Sequence, residues 1–187
     1  MAFMGISLPS EVSQLFHEVS VPGTRVAKGS HHITLLYFGK QTPLVEICRA
    51  IEIVAPIMQR TQPLQLTTSR VEAFGENPDD GYPIIARIDS EALHGLQGQL
   101  KSALKQRGVE FSDKWPEYKP HVTLSYAGKA MEPMTLDPSI DWTASETVMW
   151  AGDNNDDRFV VRFSLPRAPR YESKMSRLIE NAREALL

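Results

Sequence analysis

The chain has little or nothing of several features that would place it in a specialised class of protein. Its single cysteine, Cys48, cannot form an internal disulfide. The N-terminus lacks the basic region and long apolar run of a signal peptide, and no apolar stretch reaches the length of a membrane span. These absences predict a protein of the reducing cytoplasm with no membrane partner.

A surplus of positive charge is also missing. The chain has 20 Lys and Arg against 23 Asp and Glu, a net charge of -3 and a pI near 6.0. A protein that coats long DNA or RNA normally carries a basic surplus, because it neutralises many phosphates. The charge balance therefore excludes a general nucleic-acid coat and favours a small, compact ligand over long DNA.

Metal-binding spacings are absent as well. The five histidines and one cysteine form no His-x-x-x-His pair and no paired Cys motif, whereas zinc needs three or four converging ligands. The acidic turn at 75–81 lacks the regular ligand alternation of a calcium loop. We therefore predict no metal and no cofactor.

The remaining composition is that of one ordinary folded unit. Of 187 residues, 42% are hydrophobic, which is enough for a sizeable core. Apolar periodicity and turn residues predict an irregular succession of strands and helices, which indicates the α+β class. We expect one domain of two lobes over 1–166, then a linker and an amphipathic helix over 167–187. The predicted strands are 3–8, 32–40, 64–74, 82–89, 121–129, 143–151 and 158–165; the predicted helices are 10–19, 42–58 and 90–108; and 131–140 is predicted to be a proline-rich loop.

Two nine-residue stretches are nearly identical. HITLLYFGK at 32–40 and HVTLSYAGK at 121–129 match at six of nine positions and begin 89 residues apart. Each is rich in β-branched, leucine and aromatic residues and follows a turn-like segment, which predicts a strand. A repeat at this distance indicates a duplicated lobe, and an approximate twofold axis would set the two stretches opposite each other.

Each stretch places a histidine beside a threonine, because residues two apart on a strand share a face. His32 therefore lies beside Thr34, and His121 beside Thr123, so that one histidine and one threonine come from each lobe. The plain alternative is that these are polar positions on open sheet faces, with threonine present for its β propensity.

These two His-x-Thr motifs resemble those of the 2H phosphoesterases. That superfamily includes the LigT-like RNA 2′,3′-cyclic phosphodiesterases, and the phage anti-CBASS enzymes that degrade cyclic oligonucleotides are a related branch. The resemblance follows the element order from about residue 3 to 165, although only the motifs are specific. It implies a bilobal fold with two antiparallel sheets around a central cleft and helices outside, metal-independent chemistry on a phosphodiester, and a cyclic nucleotide substrate.

Two histidines and two threonines can carry out that chemistry. Imidazole, with an ordinary pKa of about 6.5, serves as base or acid near neutral pH. We predict that His121 activates water and that His32 protonates the leaving oxygen. Thr34 and Thr123 would donate hydrogen bonds to the non-bridging phosphate oxygens, where charge develops. A bell-shaped pH profile follows from this assignment.

Aromatic and basic residues are the candidates for substrate contact, because nucleobases stack on aromatic rings and lysine attracts phosphate. The predicted substrate-binding residues are Trp115, Tyr118, Lys119 and Trp150. Arg25 and Lys28 could also attract phosphate, but they are interpreted as solvated charge. Tyr37 and Tyr126 are predicted to lie in the core, on the face opposite the histidines.

The predicted ligand is a small cyclic nucleotide or the 2′,3′-cyclic phosphate end of an RNA. The alternative is a protein that sequesters a cyclic nucleotide without cleaving it, although binding alone has no need of two titratable imidazoles. An interaction protein that uses the amphipathic helix at 171–187 is a further alternative.

Overall fold

The computed structural model describes residues 1–76, 81–114, 117–152 and 159–166. Within them, nine strands form an antiparallel sheet and three helices accompany it, which confirms the predicted α+β class. No helix in this part of the chain is long and apolar enough to cross a membrane. The strands are β1 (Ala2–Ser7), β2 (Thr24–Arg25), β3 (His32–Gly39), β4 (Leu64–Ala73), β5 (Tyr82–Arg87), β6 (His121–Ala127), β7 (Met134–Ala144), β8 (Glu146–Ala151) and β9 (Phe159–Ser164), and the helices are α1 (Ser10–Glu18), α2 (Leu44–Met58) and α3 (Glu91–Gln106).

The core lies between the two long helices and the sheet. α2 and α3 pack against each other, while α2 contacts β8 and β9 and α3 contacts β3. The Ser90 hydroxyl caps α3 by accepting from the Leu93 N–H at 3.3 Å. Each helix buries an apolar stripe at helical spacing. The buried residues are Ile47, Ala50, Val54 and Met58 of α2 and Leu93, Leu96, Leu100 and Leu104 of α3.

The sheet consists of two four-stranded halves with the order β7-β4-β5-β6 and β3-β1-β8-β9, and β2 pairs with β6. The halves are joined by one residue pair, Ile33 of β3 with Val122 of β6. Each strand begins one residue before this pair and the two run in opposite directions, so they overlap only over their first residues. The two antiparallel sheets that we expected are these two halves, which the short junction hydrogen-bonds into one nine-stranded sheet.

The segment before each motif covers the edge of the other motif strand. Beside β6, β2 adds a short pairing and the Val26 N–H donates to the Leu124 carbonyl at 2.9 Å. Beside β3, the Ser112 N–H donates to the Tyr37 carbonyl at 2.7 Å. Two helices also contact the half of the sheet that does not contain the preceding strand: α1 packs on β7, and α3 contacts β3. These crossings support our proposal that residues 1–166 form one domain.

The loop predicted for 131–140 is correct for 131–133 but wrong from Met134 onward, where β7 begins and pairs with β4. Residues 136–139, which include Pro138, have no pairing partner, because the register shifts between Thr68 and Arg70 of β4. β7 is also an edge strand, where a proline without an N–H is tolerated. The linker and helix predicted for 167–187 lie outside the described residues.

Candidate active site

The two His-x-Thr motifs meet at the junction between the halves of the sheet. The junction pair, Ile33 and Val122, is fully buried in the core. The four polar side chains of the motifs are partly buried and lie on the other face. When the antiparallel register of this pair is extended by one residue on each side, each histidine lies across from the threonine of the other motif, His32 from Thr123 and His121 from Thr34. The structure thus brings the four predicted catalytic residues together.

Both histidines make the same hydrogen bond to the backbone. Nδ1 of His32 lies 2.9 Å from the Ser30 carbonyl oxygen, and Nδ1 of His121 lies 2.6 Å from the Lys119 carbonyl oxygen. A carbonyl only accepts, so Nδ1 carries the proton in each ring. Nε2 is then the nitrogen of each ring that is available to take up or deliver a proton.

The surroundings of His121 favour its neutral form. Burial lowers the pKa of His121 below its ordinary value, and the charge of His32 acts in the same direction, whereas the hydrogen bond to the Lys119 carbonyl raises the pKa. The ring stacks on Phe74, with centroids 4.5 Å apart and an interplanar angle of 30°. A neutral imidazole with a free lone pair on Nε2 can act as a general base.

His32 lies in a different aromatic setting. Its ring centroid is 4.8 Å from that of Phe3 and 5.8 Å from that of Trp150, and these two aromatic rings stack on each other at 4.7 Å. The predicted substrate-binding residue Trp150 is partly buried in β8 and lies next to a motif histidine. An aromatic wall therefore flanks the His32 side of the site.

A cavity of about 460 Å³ adjoins the motifs on the His121 side. Its volume lies within the range of small-molecule sites. The predicted substrate-binding residues Tyr118 and Lys119 line this cavity, together with residues that were not predicted to belong to a site. A second cavity, between α2 and α3, has no motif residue in its lining, so the first is the candidate ligand site. The lining of the first includes Thr34, Tyr37, Phe74, Gln97, Lys101, Tyr118, Lys119, His121 and Tyr126.

The prediction that Tyr37 and Tyr126 lie in the core is wrong. The pairing of β3 with β1 skips Leu35, and the pairing of β6 with β5 skips Leu124, so each motif strand has a bulge at the same position of the repeat. One extra residue moves the following side chains to the other face. Both tyrosines therefore line the cavity, and Tyr126 is 40% exposed. The identical tyrosine in both copies of the repeat was the sequence signal that could have revealed them.

The three other predicted substrate-binding residues, Tyr118, Lys119 and Trp115, belong to the segment that precedes β6. The Tyr118 hydroxyl donates to the Thr34 carbonyl at 3.1 Å, and burial raises the pKa of this tyrosine. The Lys119 ammonium lies 3.0 Å from the Glu117 carboxylate. Trp115 lies outside the described residues. Tyr118 thus ties the loop to β3, and Lys119 contributes both its charge and the carbonyl that orients His121.

Arg25 is not the solvated surface charge that we expected. Its guanidinium donates to the carbonyl of Val19 at 2.7 Å, to that of Phe16 at 3.2 Å, and also to that of His17. These carbonyls belong to the C-terminal end of α1, where acceptors lack helical partners and positive charge is favourable. Arg25 therefore stabilises the end of this helix. Among the described residues, no group of three or more His, Cys, Asp and Glu side chains could hold a metal ion.

A family model for the 2′-5′ RNA ligase superfamily matches residues 21–156. The chain belongs to this superfamily, which confirms the resemblance to the 2H phosphoesterases. Membership implies a hydrolase of phosphodiester bonds. A search of curated proteins finds none that matches this sequence.

Solved structures share the fold. TT0787 of Thermus thermophilus is similar, with a TM-score of 0.69 and 18% identity, over 89% of this chain and 98% of that chain. A crystal structure described as a phosphoesterase has a TM-score of 0.66 and 20% identity, over 89% of this chain and 98% of that chain. E. coli LigT in its apo form has a TM-score of 0.61 and 20% identity, over 89% of this chain and 97% of that chain. At such low identity these structures establish the fold alone.

Proposed function

We propose that the protein is a metal-independent phosphodiesterase that hydrolyses the cyclic phosphodiester of a nucleotide by two-histidine acid–base catalysis. The observation that carries the proposal is the register at the junction, which sets each motif histidine across from the threonine of the other motif. A phosphate at this position has an imidazole and a hydroxyl on each side. That arrangement supplies a base, an acid and two hydrogen-bond donors without a metal.

The two histidines have distinct roles in this proposal. His121 accepts a proton from water at Nε2, because its lowered pKa keeps it neutral near pH 7. His32 in its protonated form delivers a proton to the leaving oxygen. Nδ1 of each ring is held by a backbone carbonyl, so neither ring needs to turn when its Nε2 gains or loses a proton. Thr34 and Thr123 donate to the non-bridging oxygens as negative charge develops there.

The cavity beside His121 is the proposed place for the nucleoside. Tyr37, Tyr126 and Phe74 offer aromatic surface for a base, and Lys119 offers positive charge. E. coli LigT has been solved in complexes with 3′-AMP, ATP and NADP+, which supports a small nucleotide as the ligand. We propose as substrate either a 2′,3′-cyclic phosphate or a cyclic di- or oligonucleotide.

The test is turnover by the pure protein in the presence of EDTA. 2′,3′-cyclic mononucleotides and a panel of cyclic dinucleotides are incubated with the wild type, with His32→Asn and with His121→Asn, and products are separated by chromatography. Gln99→Ala, which changes an exposed residue of α3 outside the cavity lining, is the control. We expect turnover in the wild type and control and none in the two motif variants.

Two results would contradict the proposal. Turnover that EDTA abolishes would mean that a metal performs the chemistry. Ligands that bind and return unchanged would identify a sequestering protein that uses the same cleft.

A further inference from the structure

A buried serine lies behind the first motif and outside the proposed chemistry. Ser13 of α1 is 1% exposed, and His31, which immediately precedes the motif histidine, is 3% exposed. The Ser13 Oγ lies 2.8 Å from Nδ1 of His31 and accepts a hydrogen bond from the Gly29 N–H at 3.1 Å. One hydroxyl therefore ties helix α1 to both ends of the segment 29–31.

The residue in the middle of that segment is the one that orients His32. The Ser30 carbonyl accepts from Nδ1 of His32, and the Ser30 N–H donates to the Ala27 carbonyl at 3.0 Å. The segment contains Gly29 with a φ of 82°, a backbone conformation that glycine adopts freely. Without an anchor on each side, such a segment has many conformations, and few of them present the carbonyl to the imidazole.

The second motif achieves the same orientation by another means. Pro120 stands at the position of the repeat that His31 occupies in the first motif. Its ring fixes φ between Lys119, whose carbonyl orients His121, and the histidine itself. The covalent constraint of Pro120 has its counterpart in the hydrogen bonds that the Ser13 hydroxyl makes in the first half.

We propose that Ser13 and His31 are positioning residues that hold the Ser30 carbonyl against Nδ1 of His32, so that Nε2 of His32 exchanges protons with the substrate. The assignment of His32 as the exchanging group rests on the proposed function. His31 itself stays neutral: burial, and next the charges of His17, Arg25 and His32, lower the pKa of His31 to about 4. It therefore places no second positive charge beside His32.

The test compares Ser13→Ala with Thr147→Val. Thr147 is also fully buried, and its hydroxyl contacts the Met58 sulfur at 3.1 Å in the core, so this control removes a buried hydroxyl away from the motifs. For Ser13→Ala we expect kcat to fall about tenfold with KM little changed, because a misplaced acid impairs the chemical step more than binding. In 15N NMR spectra recorded at a pH where the His32 ring is neutral, the ring should lose its single Nδ1–H tautomer. The control should lower only the melting temperature.

A wild-type kcat and a wild-type His32 tautomer in Ser13→Ala would overturn the proposal and leave Ser13 a structural role alone. His31→Phe keeps an aromatic ring at this position but removes the Nδ1 partner of Ser13. The same two effects are expected of it if Ser13→Ala does not fold. The NMR measurement needs no substrate. It therefore reports on positioning even if the protein proves not to be a phosphodiesterase, which separates failure of this inference from failure of the proposed function.

Discussion

Acid should destabilise this protein through His31, a buried histidine that takes no part in the proposed chemistry. Its imidazole is 3% exposed, and its pKa in the folded protein is lowered to about 4. In the unfolded chain the same group has its ordinary pKa of about 6.5. Between these two values the unfolded state binds a proton that the folded state does not bind, so the free energy of unfolding falls as the pH falls.

The size of the effect follows from these two pKa values. Linkage gives a loss of about 2 kcal/mol between about pH 7.5 and about pH 5, and of about 3 kcal/mol by about pH 4. No loss is expected above the ordinary histidine pKa, where the group is neutral in both states. Such a loss is a large fraction of the stability of a typical domain, about 5 to 15 kcal/mol.

Urea unfolding at about pH 7.5 and at about pH 5 measures this loss of free energy of unfolding. The wild type is compared with the variant His31→Phe. The variant has no titratable group at this position, while His17, Arg25 and His32, the charged neighbours of His31, remain. Its free energy of unfolding should fall about 2 kcal/mol less than that of the wild type between about pH 7.5 and about pH 5. An equal loss in both proteins would refute the reasoning, because the destabilising proton would then bind elsewhere.

Three further predictions concern the site. Thr34→Val and Thr123→Val should each lower kcat about 100-fold with little change in KM, since each removes one donor to the transition state; Thr143→Val, an exposed threonine of β7, should have wild-type kinetics. The acid limb of the pH profile of kcat/KM should have its midpoint below the ordinary histidine pKa, because the lowered pKa of His121 keeps the base neutral in mild acid; a midpoint above that value would contradict the assignment of His121 as base. Tyr126→Ala should raise KM about tenfold with kcat little changed, if a base stacks on this ring, and an unchanged KM in steady-state assays would place the base elsewhere.

The two motif strands and their meeting could be predicted from the sequence because both signals are local or repeated. Period-two alternation places His32 and Thr34 on one face, and the second copy of the motif implies a second strand that meets the first. The junction pair of Ile33 with Val122 agrees with this expectation. The long helices were equally accessible, since their apolar stripes continue over several turns.

The positions of Tyr37 and Tyr126 could not be predicted in the same way. A bulge has no fixed sequence signature, and one extra residue reverses the face of everything after it. The contacts of Arg25 were hidden for another reason, because its acceptors lie at the end of α1 and only tertiary structure brings them to β2. The strand β7 was missed because Pro138 lies in a bulge at a sheet edge, which composition alone does not reveal.

The catalytic proposal depends on differences between two halves that are otherwise alike. An exact twofold axis would let either imidazole of a singly protonated pair hold the proton, whereas a fixed assignment of base and acid needs the two rings to differ. In both halves Nδ1 of the motif histidine bonds to a backbone carbonyl, but the residues around the two rings differ. His121 follows a proline and stacks on Phe74. His32 follows a buried histidine and packs beside Phe3. In the proposed mechanism, duplication supplies the paired geometry, and the residues that differ between the copies make His121 the base and His32 the acid.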